Sequence, residues 1–394
     1  MTWETVAIGD VCTIVGGGTP KSEVAEYWDG DLNWLTPKEM GRLVNREISS
    51  TERKITDKGL KNSSAKLLPI NSVILSSRAP IGHLAINKVL MGTNQGCKGL
   101  IPSSKLNYEY LYYFLYHSKQ MLNDMGSGAT FKELSGTKLA TVQMPLPPLS
   151  IQNKVVAKLD SIFSEMNKVN AAAENNAVNA EALFQSYLTE MFERSGKDWA
   201  LDTLGNYYDV RDGTHDSPKF YDDGYPLVTS KNLKNGQISF EKIQYVSEED
   251  YLSISQRSGV KKGDVLMAMI GTIGNPVVIE TDSKFAIKNV ALFKTNDKQS
   301  PHFLRYYLGS DYVINKMEKD AKGATQKFVG LGYLRSFPIK IPSLEKQLEV
   351  VTILDLYEQQ TNNLVNTYKK KIKQLEILKH SIFQQAFNGE LVRE

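Results

Sequence analysis

The residues that could ligate a soft metal are five histidines (His83, His117, His215, His302, His380) and two cysteines (Cys12, Cys97), and their spacing fits no metal-ligand pattern. Methyl transfer to a base amino group would call for an Asn/Asp-Pro-Pro-Tyr/Phe motif, which is absent. No Gly-x-Gly-x-x-Gly opens a helix. The run Gly16-Gly17-Gly18-Thr19-Pro20-Lys21-Ser22 carries the Lys-Ser end of a phosphate loop. However, Pro20 stands where that loop needs glycine, and no initial glycine precedes it at the required distance. What remains is hydrogen-bonding and charge chemistry: Thr, Lys, Arg, Asn and Gln gathered in glycine-bearing turns. Such residues suit binding, and no catalytic motif accompanies them.

The elements that hold these turns are duplicated. An apolar stripe runs from Leu149 through Val156, Leu159, Ile162, Met166, Val169, Ala173, Ala177, Ala180 and Leu183 to Tyr187, in steps of three, four or seven. Adding 195 gives a second stripe from Leu344 through Leu364 and Leu378 to Ile382. Both are the seam of a long amphipathic helix, and each follows a proline-marked stop (Pro147-Pro148; Pro338 and Pro342). The segments ahead of them also align. Trp3 matches Trp199, Gly18-Thr19 matches Gly213-Thr214, and Leu35-Thr36-Pro37-Lys38 matches Val228-Thr229-Ser230-Lys231. The strand-like runs at Val73–Leu75 and Val265–Met267 match too, as do Gly128-Ala129-Thr130 and Gly323-Ala324-Thr325. The offset drifts between 192 and 196 in the globular segments and holds at 195 in the helices, as loops tolerate insertions and helical seams do not.

The expected architecture is α+β: two similar globular domains, each followed by a long helix. The two helices would pair as an antiparallel coiled coil in a pseudo-twofold tandem duplication. The expected boundaries are 1–148, 149–195, 196–342 and 343–394. The Tyr-rich helical stretch with Tyr108, Leu111, Tyr112, Leu115 and Tyr116 is expected to pack in the core. With 394 residues there is chain enough for more than one core. No apolar run approaches the roughly 18–20 residues of a membrane span, the start Met1-Thr2-Trp3-Glu4 does not read as a secretory signal, and two cysteines suit a reducing cytoplasm. The net charge of +3 permits a nucleic-acid surface without requiring one, so any such surface must come from local clustering.

The unit-opening Trp with its following Ile8-Gly9 or Leu204-Gly205, the Gly-Ala-Thr loops, and the helix starts Leu146-Pro147-Pro148-Leu149-Ser150-Ile151-Gln152 and Ile341-Pro342-Ser343-Leu344-Glu345-Lys346-Gln347 form an ordered, repeated set. With the closing Gln384-Gln385-Ala386-Phe387-Asn388-Gly389-Glu390-Leu391, the whole chain resembles the specificity subunit of type I restriction–modification systems. One departure is Glu193-Arg194-Ser195-Gly196, where the first repeat lacks a Gly-Glu-Leu. The resemblance implies a non-catalytic cytoplasmic subunit that recognises double-stranded DNA. Each globular domain would be a target-recognition domain reading one half of a bipartite asymmetric target. The helices would act as spacer and as docking surface for two modification subunits, with restriction subunits joining the full complex. S-adenosylmethionine, ATP and Mg2+ would belong to those partners, with no cofactor in this chain. A coiled-coil interaction scaffold without DNA recognition is the alternative.

On that reading, residues kept in both copies are candidates for framework or phosphate contact: Thr19 and Thr214, Lys38 and Lys231, and Thr130 and Thr325 with the neighbouring Lys132 and Lys327. Lys21 and Lys98 add charge nearby. Residues that differ are candidates for base reading. Arg78 aligns with Ile270 and suits bidentate pairing to guanine. Asn94 and Gln95 have the amide chemistry for adenine, and Lys288 and Asn289 lie near the equivalent place.

Overall fold

A short antiparallel ladder closes each globular segment just before its long helix. Thr5–Ala7 pairs with Gln143–Pro145, and Ala200–Thr203 pairs with Pro338–Ile341. The computed structural model describes residues 3–392 except 79, 129–131, 195, 197, 283 and 324–326. The chain forms two compact units, Met1–Ala172 with Lys371–Glu394, and Ala173–Lys370.

In the first unit, five strands lie in the order Cys12–Gly16, Cys97–Pro102, Val73–Ser76, Leu84–Asn87 and Glu47–Ile48. Only the last pair is parallel. A second sheet places Trp28–Leu35 between Lys54–Ile55 and Met91–Thr93, the latter in parallel register. The second unit repeats this plan. Four antiparallel strands run in the order Asp209–Asp212, Val290–Lys294, Val265–Ala268 and Gly274–Val278. Tyr225–Val228 again lies between an antiparallel strand, Gln244–Val246, and a parallel one, Ala286–Ile287. Val73–Ser76 and Val265–Ala268 are buried along their whole length, which is why they read as unbroken small or apolar runs rather than alternating ones.

The long helices are Leu149–Glu193 and Leu344–Phe387. In the first unit the beginning of the first helix packs on the end of the second, with the rings of Phe163 and Phe383 4.8 Å apart. In the second unit the end of the first helix packs on the beginning of the second, with Tyr187 and Tyr357 4.7 Å apart. That order is antiparallel, and the fold is the α+β tandem duplication expected. The helix Tyr108–His117 contributes Tyr110, Leu111, Phe114 and Leu115 to the first core, together with Leu159 and Phe387. Full burial of each such side chain contributes about 1.5–3 kcal/mol. Tyr116, expected in the core, is 40% exposed and instead receives a hydrogen bond from Lys379.

The helical seam differs from the expected stripe by single residues. Leu183 is 73% exposed, Leu364 and Leu378 are each 49% exposed, and Val169 is 38% exposed. The inward-facing line alternates steps of four and three: Gln152, Val156, Leu159, Phe163 and Met166 in one helix, and Gln347, Val351, Leu354, Glu358, Thr361 and Val365 in the other. A strict heptad line admits polar residues when they find partners, so choosing positions by apolar identity drifts onto neighbours.

Two of those polar residues anchor the helix starts. Gln152 is fully buried; its Oε1 accepts from Asn107 N (2.8 Å), and its Nε2 donates to the carbonyls of Pro147 (2.8 Å) and Lys105 (3.0 Å). Gln347, 195 residues on and equally buried, accepts from Ser300 N (2.9 Å) and donates to the Pro342 carbonyl (3.1 Å). Asn107 and Ser300 are themselves the N-caps of Tyr108–His117 and Pro301–Leu308. One glutamine per repeat thus ties the long helix to the neighbouring cap.

Candidate nucleic-acid interface

In the first unit the strand Cys12–Gly16 runs into a glycine turn that lies directly on another backbone. A Cβ at Gly17 would stand 2.0 Å from the Asn94 carbonyl oxygen, so no other residue fits there. Two tryptophans hold the turn: Trp34 Nε1 donates to the Gly18 carbonyl (2.9 Å) and Trp28 Nε1 to that of Lys21 (3.1 Å). Arg53 lies over both indole rings, 3.9 and 5.2 Å from their centres.

The expected site residues of this unit converge around that turn. Asn94 Nδ2 donates to Thr19 Oγ1 (2.9 Å), and the Thr19 hydroxyl donates to Gln95 Oε1. Asn94 Oδ1 accepts from Gly96 N (2.8 Å), so both ends of the Asn94 amide are engaged and its role is to shape the loop. Gly96 borders Pro37, the neighbour of Lys38, and Arg78. Arg78 Nε pairs with Glu133 Oε2 at 3.0 Å, and the arginine side chain is about half exposed. Lys98 lies 3.9 Å from the other Glu133 oxygen. Lys38 and Lys132 are exposed. Thr130 lies outside the described residues, as does Thr325 in the second unit.

The second unit repeats the turn with different side chains. Gly17 N bonds the Cys97 carbonyl and Gly18 N that of Thr93; here Gly213 N bonds the Val290 carbonyl and Thr214 N that of Ile287. Gly18 therefore corresponds to Thr214, and Thr19 corresponds to His215. The expected pairing of Thr19 with Thr214 is corrected by one residue, because strand register and not residue identity fixes the turn. The pairing of Arg78 with Ile270 stands: Arg78 bridges Glu133 as Ile270 bridges Phe328, and Leu134 N and Val329 N bond the carbonyls of Ser77 and Met269. An ion pair in one domain is replaced by an apolar pair in the other.

Lys288 N bonds the Val228 carbonyl as Asn94 N bonds that of Leu35, so Lys288-Asn289 occupies the place of Asn94-Gln95. Lys288 Nζ donates to Ser217 (3.0 Å), and Ser230, next to the exposed Lys231, donates to the Asn289 carbonyl (3.3 Å). Lys327 is exposed, and its carbonyl accepts from Gly271 N (2.8 Å). His215 lies between Asp212 Oδ2 (2.9 Å) and Asn289 Oδ1 (2.8 Å). Hydrogen bonds to Asp212 and Asn289 hold its imidazolium above the ordinary histidine range. Arg257 bonds the second oxygen of the buried Asp212.

Sequence reasoning missed Glu133, Asp212, His215 and Arg257. His215 was within reach, since it directly follows a Gly-Thr pair. Asp212 and Arg257, 45 residues apart, meet only through the fold. A second unforeseen feature joins each domain to its helix. Arg46 pairs with Asp160 (2.5 Å) and Glu109 (2.7 Å), and Tyr113 also donates to Asp160. In the second unit Arg305 pairs with Glu358 (2.8 Å), and Tyr306 donates to Asp355 (2.6 Å), which stands 195 residues after Asp160. Burial alone would raise Asp160, but hydrogen bonds from Arg46 and Tyr113 outweigh it and hold the carboxyl below its usual range.

The two cysteines are free and buried, and burial pushes each thiol up to about 12. Among the described residues no group of three His, Cys, Asp or Glu side chains is placed to hold a metal ion. Among them, too, no helix is long and apolar enough to cross a membrane.

A family model described as the type I restriction modification DNA specificity domain matches residues 1–180 and again 198–374. The chain belongs to this DNA specificity family. Its two matches coincide with the two repeats of the turn, and DNA specificity sets aside the interaction scaffold without DNA recognition. The chain is similar to the type I restriction enzyme MjaIX specificity subunit of Methanocaldococcus jannaschii, with 28% identity over 99% of this chain and 93% of the relative. It is also similar to the EcoKI specificity subunit of Escherichia coli, with 20% identity over 100% of this chain and 90% of that one. Among solved structures, a chain from work on assembly and conformational transition of the type I R-M system shares the fold at a TM-score of 0.77. Its identity is 19%, over 99% of this chain and 98% of that one. The HsdS subunit from Thermoanaerobacter tengcongensis gives a TM-score of 0.60 at 19% identity, over 98% and 97% of the two chains.

Proposed function

We propose that this chain is the DNA-recognition subunit of a type I restriction–modification complex, with each globular domain reading one half of a bipartite, asymmetric target. The long helices set the spacer between the halves and dock two modification subunits. Methyl transfer and cleavage belong to partner subunits, which bring S-adenosylmethionine, ATP and Mg2+, and restriction subunits complete the assembly. The setting is cytoplasmic.

One observation carries the reading. The same glycine turn and the same bridge beside it are built twice and furnished with different side chains, Thr19 and Arg78–Glu133 in one domain, His215 and Ile270–Phe328 in the other. A shared scaffold with unlike contacts is what two unlike half-sites demand, since phosphate contacts position while base contacts specify. The helices keep a constant 195-residue repeat while the domains drift, as a spacer common to both halves would.

The test is the methylome of the source cell before and after deletion of this gene. A gapped, two-part motif methylated at adenine should disappear with the gene. Persistence of every methylated motif, or loss of an ungapped one, overturns the reading.

A further inference from the structure

Gln95 and Asn289 occupy equivalent loops, and in each the amide oxygen is held by the residue at the equivalent position of the glycine turn. Thr19 holds Gln95 Oε1, and His215 lies 2.8 Å from Asn289 Oδ1. Among the described residues neither amide nitrogen has a partner. We infer that Gln95 and Asn289 are the paired amides that read a purine edge in the two half-targets, and that Thr19 and His215 are positioning residues fixing which end of each amide faces the DNA. The inference rests on the DNA-reading role proposed above.

The chemistry follows from what an amide can present. A half-turn about its last bond exchanges a donor for an acceptor, so a freely turning amide discriminates poorly. Adenine offers an acceptor at N7 and a donor at N6, and a carboxamide matches both only in one orientation. In the first domain that orientation is set by a relay. Asn94 Nδ2 donates to Thr19 Oγ1, so the Thr19 proton goes to Gln95. No ionisable group takes part.

In the second domain the device is ionisable. His215 stands between Asp212 Oδ2 and Asn289 Oδ1, and with both ring nitrogens protonated it donates to both oxygens. When the ring loses a proton, the remaining one stays on Nε2 against the carboxylate and Nδ1 becomes an acceptor. Asn289 then satisfies Nδ1 only by turning its NH2 inward, which carries its oxygen outward and inverts what it shows the base. The other charged groups around the turn are accounted for. Arg257, from the helix Glu248–Ser258, is bound to Asp212, and Lys288 is bound to Ser217. Asp216 and Asp250 line the cleft beside Arg257. The second half-target should therefore be read in a pH-dependent way and the first should not.

The experiment uses the chain assembled with its modification subunits and duplexes carrying the target found in the methylome. Purines are replaced one at a time by their 7-deaza forms, and binding is measured at fixed salt at about pH 6 and about pH 8.5. In each half, one 7-deaza substitution should weaken binding about tenfold. The first-half effect should vanish in Gln95→Ala. The second-half effect should vanish in Asn289→Gly, chosen because φ is +56° at Asn289 and glycine keeps that backbone. Raising the pH should shrink the second-half effect about threefold or more in the wild type and leave it unchanged in His215→Gln. If the wild type stays target-specific and no purine couples to either amide, the inference is overturned while DNA reading stands. If the wild type prefers the target to no unrelated duplex, DNA reading itself fails. An equal pH response in both halves, or one retained in His215→Gln, removes His215 from the role.

Discussion

Replacing Gln152 with leucine keeps the side-chain bulk and removes every hydrogen bond the amide makes. The Pro147 carbonyl is buried and the bond to the Asn107 N–H is part-buried beneath the helix cap; Lys105 is exposed, and its carbonyl can turn to solvent. An unsatisfied buried polar group costs about 1–3 kcal/mol, so the expected loss is about 2–5 kcal/mol after a small gain from burying a more apolar side chain. That is a large share of the 5–15 kcal/mol that holds a typical domain together. Gln347→Leu should cost a similar amount, since Ser300 N and the Pro342 carbonyl lose equivalent bonds. Urea unfolding followed by peptide-resolved hydrogen exchange separates the two units. Gln152→Leu should lower protection around Tyr108–His117, and Gln347→Leu around Pro301–Leu308. Either variant within about 0.5 kcal/mol of wild type, or equal loss in both units from one substitution, refutes the reasoning.

Further outcomes are expected. Arg78→Ala should weaken binding by about 1–3 kcal/mol and relax one position in one half-target, which methylation profiling would reveal; an unchanged motif removes Arg78 as a base contact. A heptad inserted into both helices adds about 10.5 Å to each, and the methylated motif should gain about 3 bp of spacer; unchanged spacing defeats the spacer role. Exchanging residues 1–148 for the first domain of another family member should alter only one half of the motif. Because Asp160 is held below its ordinary range, its pairing with Arg46 stabilises the first unit fully above about pH 5 and is lost as the pH falls through the depressed value. The difference in unfolding midpoint between wild type and Asp160→Asn should be constant from about pH 5 to 8 and shrink in acid. A difference that grows in acid contradicts the assignment.

The duplication was legible because a fixed 195-residue offset survives in the helices, and with it the α+β architecture and the family. Position within the helical seam was less so. Leu183 and Leu364 have the right chemistry for the interface but face solvent, while Gln152 and Glu358 face inward and are paid for by specific partners that no periodicity reveals. Around the glycine turns, Thr19, Arg78, Gln95 and Asn289 could be singled out from residue type and repeat. The one-residue slip that paired Thr19 with Thr214 arose because identical letters were matched. The backbone instead matches Gly18 with Thr214, and only ladder register shows it. Networks such as Asp212–His215–Arg257 join residues far apart in the chain, so no local pattern announces them.

The first compact unit takes its last pieces from beyond Lys371, and Tyr110 and Phe114 each pack against Phe387 at 5.4–5.5 Å. During synthesis at about 5–20 residues per second, those rings emerge roughly 14–55 s before their partner does. The domain made first is thus the one finished last. For that interval it carries an open apolar face, and the second unit can complete its fold before the first.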